Sequence, residues 1–312
     1  MKTFDDLLTA VREHPKKRLA VAAAHHESVL EAVRDAREKG VADSLLVGRR
    51  DEILGIAQKI GLELAEDQIL DAATEVDAAR CAAFAVRQDR ADILMKGQLH
   101  TDDFLRAVLD KERGLRTGFV MSHCFLLELR DPDRIVMVTD GAMNIAPDLE
   151  TKAKIIMNAV YLARIFGIQC PRVAIVCAVE LVNPAMPATM EAAVLSKMSQ
   201  RGQFPECVVD GPLALDNAID LLAAKTKKIE SDVAGQADIL VVPDIEAGNM
   251  LAKAHSFLGG GRVAGVVVGA LAPIVLTSRA DSAEAKLFSI ATAVLMANLQ
   301  RPEQLKIGKV HY

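Results

Sequence analysis

The chain is 312 residues long and carries a formal charge of −5, with aromatics at only 4%, two Tyr and no Trp. Surfaces that bind single-stranded nucleic acid are basic and stack bases on aromatic rings, so this balance argues against that class of partner. The length suits two domains of about 150 residues each better than one compact core.

The N-terminal stretch MKTFDDLLTAVREHPKKR is charged and helix-like, without the apolar run and small-residue cleavage site of a secretory signal. No apolar run approaches the roughly 20 residues that span a bilayer, so a cytoplasmic protein without membrane association is expected. Apolar, β-branched runs then alternate with helical patterns, the signature of an α/β protein with largely parallel sheets. Strands are expected at 18–24, 43–48, 91–97, 118–129, 134–140, 172–179, 206–211, 237–244, 264–270 and 273–278. Helices are expected notably at 26–39, 73–89, 148–166, 187–201, 213–227, 245–257 and 282–299. Only Arg-Asp-Pro-Asp separates FVMSHCFLLEL from RIVMVTD, and so short a connection allows an antiparallel hairpin, which would make one sheet mixed. Lys111-Glu112-Arg113-Gly114 is the best first domain crossing, with a second near Gly265 to Gly269. That division gives a discontinuous domain of residues 1–113 plus 268–312 around a second domain of 114–267.

Four strand ends carry polar residues: Lys96-Gly97-Gln98-Leu99-His100-Thr101, Thr139-Asp140-Gly141, Pro243-Asp244-Ile245-Glu246-Ala247-Gly248-Asn249 and Ser278-Arg279. Open α/β sheets bind ligands outside the carboxyl ends of their strands, so the four ends suggest one shared site. A competing reading makes Thr101, Asp244 and Asp281 helix caps. For Asp281 the spacing to Glu284 is that of a capping box. Arg279 resists such a reading, because a cation at a helix N-terminus opposes the dipole unless an anion is nearby. Its guanidinium, the Ser278 hydroxyl and free backbone N–H groups together suit a phosphate or carboxylate. A surface ion pair of Arg279 with Asp281 or Glu284 is the plainer alternative.

Other motifs carry less. Gly259-Gly260-Gly261 follows a helix and lacks the Lys-Ser/Thr of a phosphate-binding loop, so it reads as a flexible helix end. His25 and His26 open a helix, where adjacent side chains diverge by roughly 100° and do not readily share a metal. Asp140, Asp244 and Glu246 could form a divalent-metal cluster, but nothing local demands one. The five cysteines, at 81, 124, 170, 177 and 207, have no metal or disulfide spacing and read as small core residues.

Six segments taken together resemble the phosphate acetyltransferase and phosphate butyryltransferase family, its butyryl branch above all. They are ADILMKGQLHTDDFLRAVL, TDGAMNIAPDLETKAKII, VNPAMPATMEAAVLSKMSQRG, VVDGPLALDNAI, PDIEAGNMLAK and VLTSRADSAEAKL, in family order across nearly the whole chain. The resemblance implies a two-domain, three-layer α/β/α architecture similar to isocitrate and isopropylmalate dehydrogenases, with mixed, mostly parallel sheets. It also implies a homodimer with its site in the interdomain cleft. Some members carry an enoyl-CoA hydratase-like domain ahead of this unit, and at this length none is expected. The implied reaction is reversible: acyl-CoA plus phosphate gives acyl phosphate plus CoA. CoA is a substrate in this scheme, and no tightly bound cofactor or metal is required.

With acyl phosphate as substrate the CoA thiol attacks a carbonyl, and negative charge builds on the carbonyl oxygen and then on the leaving phosphate. Ser278 and Arg279 match the family's Ser-Arg pair that meets this charge. Arg106 resembles a second family arginine that would clamp the phosphoryl group. Its plainer reading is a surface pair with Asp102 or Asp110 at helical spacing. The acetyltransferases place an Asp seven positions after the motif Ser, whereas this chain has Ala285 there. Asp281 and Glu284 are the candidate bases in its place, and a route using only phosphate oxygens also stands. His100 and Thr101 could donate to the acyl phosphate, and Asp244, Glu246 and Asn249 resemble the family's second-domain segment. Two other functions fit parts of the pattern: a non-catalytic sensor of acyl phosphate or CoA, and a metal-dependent decarboxylating dehydrogenase of similar fold.

Overall fold

A computed structural model describes residues 1–130, 133–299 and 310. Two of the residues expected in the turn between the hairpin strands, Asp131 and Pro132, lie outside those described. The chain forms two units, one built from Phe4–Phe119 and the segment that begins at Ala264, the other from Met1–Thr3 and Val120–Val263. The crossings thus fall at Phe119/Val120 and Val263/Ala264, against 113 and 268 expected from the sequence.

In the first unit α1 (Phe4–Val11), β1 (Lys17–Ala22), α2 (Glu27–Glu38), β2 (Ala42–Gly48), α3 (Arg50–Ile60), β3 (Ile69–Asp71), α4 (Glu75–Arg87), β4 (Ile93–Lys96) and α5 (Thr101–Val108) follow in order. The other unit holds β5 (Ser122–Arg130), β6 (Asp133–Thr139), α6 (Leu149–Ile165), β7 (Arg172–Val176), α7 (Pro187–Gln200), β8 (Val208–Leu213), α8 (Leu215–Ile219), α9 (Leu221–Thr226), β9 (Ile239–Val241) and α10 (Ile245–Lys253). Then β10 (Val263–Val268), β11 (Ile274–Val275) and α11 (Ala283–Leu299) return the chain to the first unit.

Within the first unit the strand order is β3-β2-β1-β4-β11-β10. All neighbours are parallel except β10 and β11. Leu19 to Ala22 of β1 and Ile93 to Met95 of β4 are buried without alternation, as expected for parallel strands covered on both faces. The path from β1 to β2 to β3 steps one way, and the path from β3 to β4 returns past β1. Right-handed crossovers therefore place α2 and α3 on one face and α4 on the other. The order reverses between β1 and β4, and this switch point is where an open α/β sheet leaves a crevice beyond its carboxyl ends. Lys96 ends β4 at that crevice.

Helix α11 packs on α1 and α2. Every residue from Ala285 to Met296 is buried, so the helix is enclosed all round rather than amphipathic. Phe288 on α11 stacks on Phe4 with ring centroids 4.4 Å apart.

The other unit has the order β5-β6-β9-β7-β8. The β5–β6 pair is antiparallel, as the short connection suggested, while the remaining pairs are parallel. Leu127, Val136, Val138, Ala174, Leu213 and Leu240 form part of its core. Pro212, which cannot donate to a ladder, lies in β8 at the end of the order.

Several elements differ from the sequence reading. The helix expected over 213–227 is two helices, because the Asp220 carboxylate accepts from the Ala223 N–H at 2.7 Å and caps a new start. The expected strand at 273–278 keeps ladder pairing only at Ile274–Val275, although Leu276 and Thr277 are also buried. Strand β3, three residues long, gave no run to detect. Cys124 and Cys177 are buried, but Cys81 and Cys170 are exposed, which corrects the reading of all five as core residues. The three-glycine stretch does end a helix: the Gly259 N–H donates to the Ala254 carbonyl at 2.9 Å, and Gly260 turns to φ +61°. No helix among the described residues is long and apolar enough to cross a membrane.

Candidate active site

The parallel register of β4 with β11 pairs Leu94 with Ile274 and Met95 with Val275. Continuing both strands by a few residues carries the segment after Lys96 alongside the segment that reaches Ser278. There a cavity of about 510 Å³ is lined by Lys96, Leu99, His100, Thr101, Asp102, Asp103, Arg106, Ser278 and Arg279. Its size falls in the usual range for small-ligand sites. Two of the four polar strand ends thus converge on one cavity, and all its lining residues belong to one unit.

The turn that presents Ser278 and Arg279 is held by its own hydrogen bonds. The Ser278 N–H donates to Asp281 Oδ2 at 2.7 Å, and the Asp281 N–H donates to the Ser278 carbonyl at 3.2 Å. The Ala280 N–H reaches Ser278 Oγ at 3.3 Å, which leaves the hydroxyl proton for a ligand. Arg279 stands exposed at the tip and forms no ion pair among the described residues, so neither Asp281 nor Glu284 neutralises it.

The capping box expected at Asp281 is not formed. Ser282 is the residue that caps α11, its Oγ accepting from the Ala285 N–H at 3.1 Å. The Asp281 carboxylate is turned back to the loop instead, where the Ser278 N–H is nearer. Ser282→Ala should therefore cost about 1 kcal/mol of stability, seen as a lowered melting temperature, because one N-terminal donor of α11 loses its acceptor. Asp281 and Glu284 do not line the cavity.

On the opposite wall, α5 starts with His100 as its N-cap residue, and no side chain caps it. Thr101 is the first helical residue, which overturns its reading as a cap. The uncapped first turn leaves N–H groups directed at the cavity's end of the helix. Arg106 pairs with Asp103 at 3.0 Å, a three-residue spacing in place of the expected pair with Asp102 or Asp110. Asp103 is thereby neutralised, while Lys96 and Arg279 remain cations without a carboxylate partner.

Lys96 was missed as a site residue. It is only 2% exposed, and its ammonium has one long contact, to the Gly97 carbonyl at 3.4 Å. Burial, reinforced by Arg279 and Lys286 nearby, pushes its pKa down to about 8. Lys286 on α11 is buried too, which lowers its pKa, and its ammonium donates to the Asp281 carbonyl. The signal in the sequence was a lysine closing the apolar run ADILMKG, a residue type almost never buried unless paired.

The remaining candidates are in the other unit. Asp244 caps α10, accepting from the Ala247 N–H at 2.8 Å, and Asn249 donates to the Gly141 carbonyl at 3.3 Å. Gly248 lies so close to Gly141 that a Cβ on it would meet the Gly141 Cα at 2.8 Å. Glu246 is exposed in the first turn of α10. The Asp140 carboxylate accepts from the N–H groups of Ala142, Met143 and Asn144 at 2.9, 3.0 and 3.2 Å. These contacts give Asp140, Asp244 and Asn249 structural work, and among the described residues no cluster of His, Cys, Asp or Glu is arranged to hold a metal. His25 is buried with neither ring nitrogen hydrogen-bonded, and His26 Nδ1 meets Ser28 Oγ at 3.1 Å.

A mixed α/β fold with a polar, cation-bearing cavity at its strand ends suits an anionic small molecule. A sequence profile of the phosphate acetyl/butaryl transferase family matches residues 71–294. The phosphate butyryltransferase of Clostridium acetobutylicum is 48% identical over 95% of this chain and 99% of that protein. The phosphate acetyltransferase of Thermotoga maritima is 47% identical over 94% of this chain and all of that protein, 100%. Among solved structures, a branched-chain phosphotransacylase from Enterococcus faecalis superimposes with a TM-score of 0.79 at 31% identity, covering 90% of this chain and 99% of that one. The chain belongs to the phosphate acetyl/butaryl transferase family, and it is an acyltransferase.

Proposed function

We propose that the cavity beneath Ser278 and Arg279 holds the phosphate of the family reaction. That reaction is the reversible transfer of a short-chain acyl group between CoA and phosphate. The observation that supports this placement is the convergence of the Ser278 hydroxyl, the exposed Arg279 guanidinium and the uncapped start of α5 on one cavity. With acyl phosphate bound there, Arg279 and Ser278 would donate to the phosphoryl oxygens, and His100 and Thr101 would stand beside them as further donors.

Attack by the CoA thiol forms the C–S bond and breaks the bond from the acyl carbon to the phosphate oxygen. The thiol proton ends on the departing phosphate, so the exchange balances without an added acid or base. Charge moves onto phosphate oxygens during this step, and donors fixed beforehand stabilise that charge without reorganising. Asp281 contributes by holding the Ser278–Arg279 turn through its bond to the Ser278 N–H, and Glu284 stays the other carboxylate of that segment. Asp244, Glu246 and Asn249 are proposed substrate contacts of the other unit. It includes a cytoplasmic homodimer of isocitrate dehydrogenase-like architecture, with CoA as substrate and no tightly bound cofactor.

The test is release of CoA thiol from butyryl-CoA and acetyl-CoA, followed with a thiol reagent with and without phosphate. Release that depends on phosphate is expected for both. Binding of CoA with no phosphate-dependent release would make the chain a sensor and end the catalytic reading.

A further inference from the structure

We propose that Lys96 is a phosphate-binding residue of this site, holding the phosphoryl group from the floor of the cavity while Arg279 holds it from the lip. The inference rests on the functional reading above and adds to it a residue that the Ser-Arg motif does not contain.

Lys96 is the last residue of β4, beside the point where the strand order reverses, and it lines the same cavity as Ser278 and Arg279. A lysine that is 2% exposed has lost most of its hydration, and a buried cation ordinarily recovers that loss from a carboxylate. Lys96 has none: among the described residues it forms no ion pair, and its one hydrogen bond is the 3.4 Å contact to the Gly97 carbonyl.

Its surroundings deepen the deficit. Arg279 after β11 and Lys286 on α11 oppose its charge, while Asp281 in the intervening turn and Glu75 at the start of α4 favour it only at a distance. Across the cavity stand His100, Asp102, Asp103 and Arg106, with Asp103 already paired to Arg106. Lys96, Arg106 and Arg279 line one cavity, and the two without carboxylates, Lys96 and Arg279, are unfavourable beside each other when it is empty and favourable around a dianion. Lys286 is satisfied by the Asp281 carbonyl and anchors the turn, which leaves Lys96 and Arg279 to meet the ligand.

Burial and the neighbouring cations hold the Lys96 ammonium down to about 8. A phosphate dianion beside it must raise that value, so phosphate binding takes up a proton at alkaline pH. The free-state value lies below the bound-state value. Affinity is therefore complete below about pH 8 and falls as pH rises through that value, by about tenfold per unit until the bound-state value is reached.

The experiment measures KM for phosphate in acyl-CoA consumption from pH 7 to 9.5, for the native chain, Lys96→Met and Lys96→Arg. The native KM should rise above about pH 8. Lys96→Met should raise the KM about ten- to a hundredfold at pH 7, the usual worth of a charge-assisted hydrogen bond, and should flatten the pH dependence. Lys96→Arg, which stays charged, should bind phosphate better than Lys96→Met and also show no rise. Calorimetric titration with inorganic phosphate at pH 7 and 9 reads the same affinities without turnover. A chain lacking phosphate-dependent transfer would overturn the functional reading, while calorimetry would still decide the role of Lys96. A phosphate affinity unchanged in Lys96→Met, or a native affinity that is flat across this pH range, overturns the inference.

Discussion

Arg279→Ala is expected to lose about a hundred- to a thousandfold in turnover while keeping its fold, the size of effect that follows removal of one preorganised donor to a developing oxyanion. The two halves of that expectation have separate physical grounds. The side chain is exposed at the tip of the Ser278–Asp281 turn and has no ion pair to lose, so its removal should change stability by less than about 0.5 kcal/mol. The turn itself is held by bonds to the Ser278 N–H, the Asp281 N–H and Ser278 Oγ, none of which uses the guanidinium.

Arg279→Lys should recover only part of the loss, because an ammonium cannot present the paired donors of a guanidinium to two phosphate oxygens. Phosphate-dependent thiol release measured beside a thermal melt separates the two effects. Native turnover in a folded Arg279→Ala chain would remove this residue from the chemistry. A melt lowered in step with activity would make it structural.

Parallel strands buried on both faces announced themselves in this sequence because RLAVAAA and ADILMKG have no polar alternation, and their helices because apolar positions recur at helical spacing. Ser278 and Arg279 were legible for a different reason, since a cation where a helix begins conflicts with the dipole and asks for an anion. Lys96 was hidden by position. A lysine closing an apolar run looks like the first solvated residue after a strand, and only tertiary packing, with α11 against β4 and Ser278 on the same cavity, shows that it is buried. Asp281 was misread as a cap because spacing alone ranks it with Ser282. Which of two adjacent polar residues caps a helix depends on backbone direction in the preceding turn, and here the Ser278 N–H draws Asp281 away. The break at Asp220 was likewise invisible to periodicity, since a capping aspartate and a surface aspartate share one letter.

Gly97→Ala is expected to reduce turnover by about a hundredfold or more and to cost about 1–3 kcal/mol of stability, although the substitution adds a single methyl group. A Cβ at residue 97 would lie 2.4 Å from the Ala23 carbonyl oxygen and 2.5 Å from that of Ala22. Those oxygens belong to the backbone at the end of β1 and just past it, so no side chain can swing aside. They are also fixed as acceptors, the Gly97 N–H donating to Ala22 at 2.8 Å and the Gln98 N–H to Ala23 at 2.9 Å. Relief requires the end of β4 to move away from β1, which displaces Lys96 on one side and the His100–Thr101 start of α5 on the other. Both walls of the cavity then shift relative to Ser278 and Arg279, whose turn is tied to α11 instead. Displacements near 1 Å suffice for losses of this order. Turnover and phosphate KM measured with a chemical-denaturation curve check the prediction. Native kinetics in Gly97→Ala would show that the close approach of β4 to β1 does not position the site.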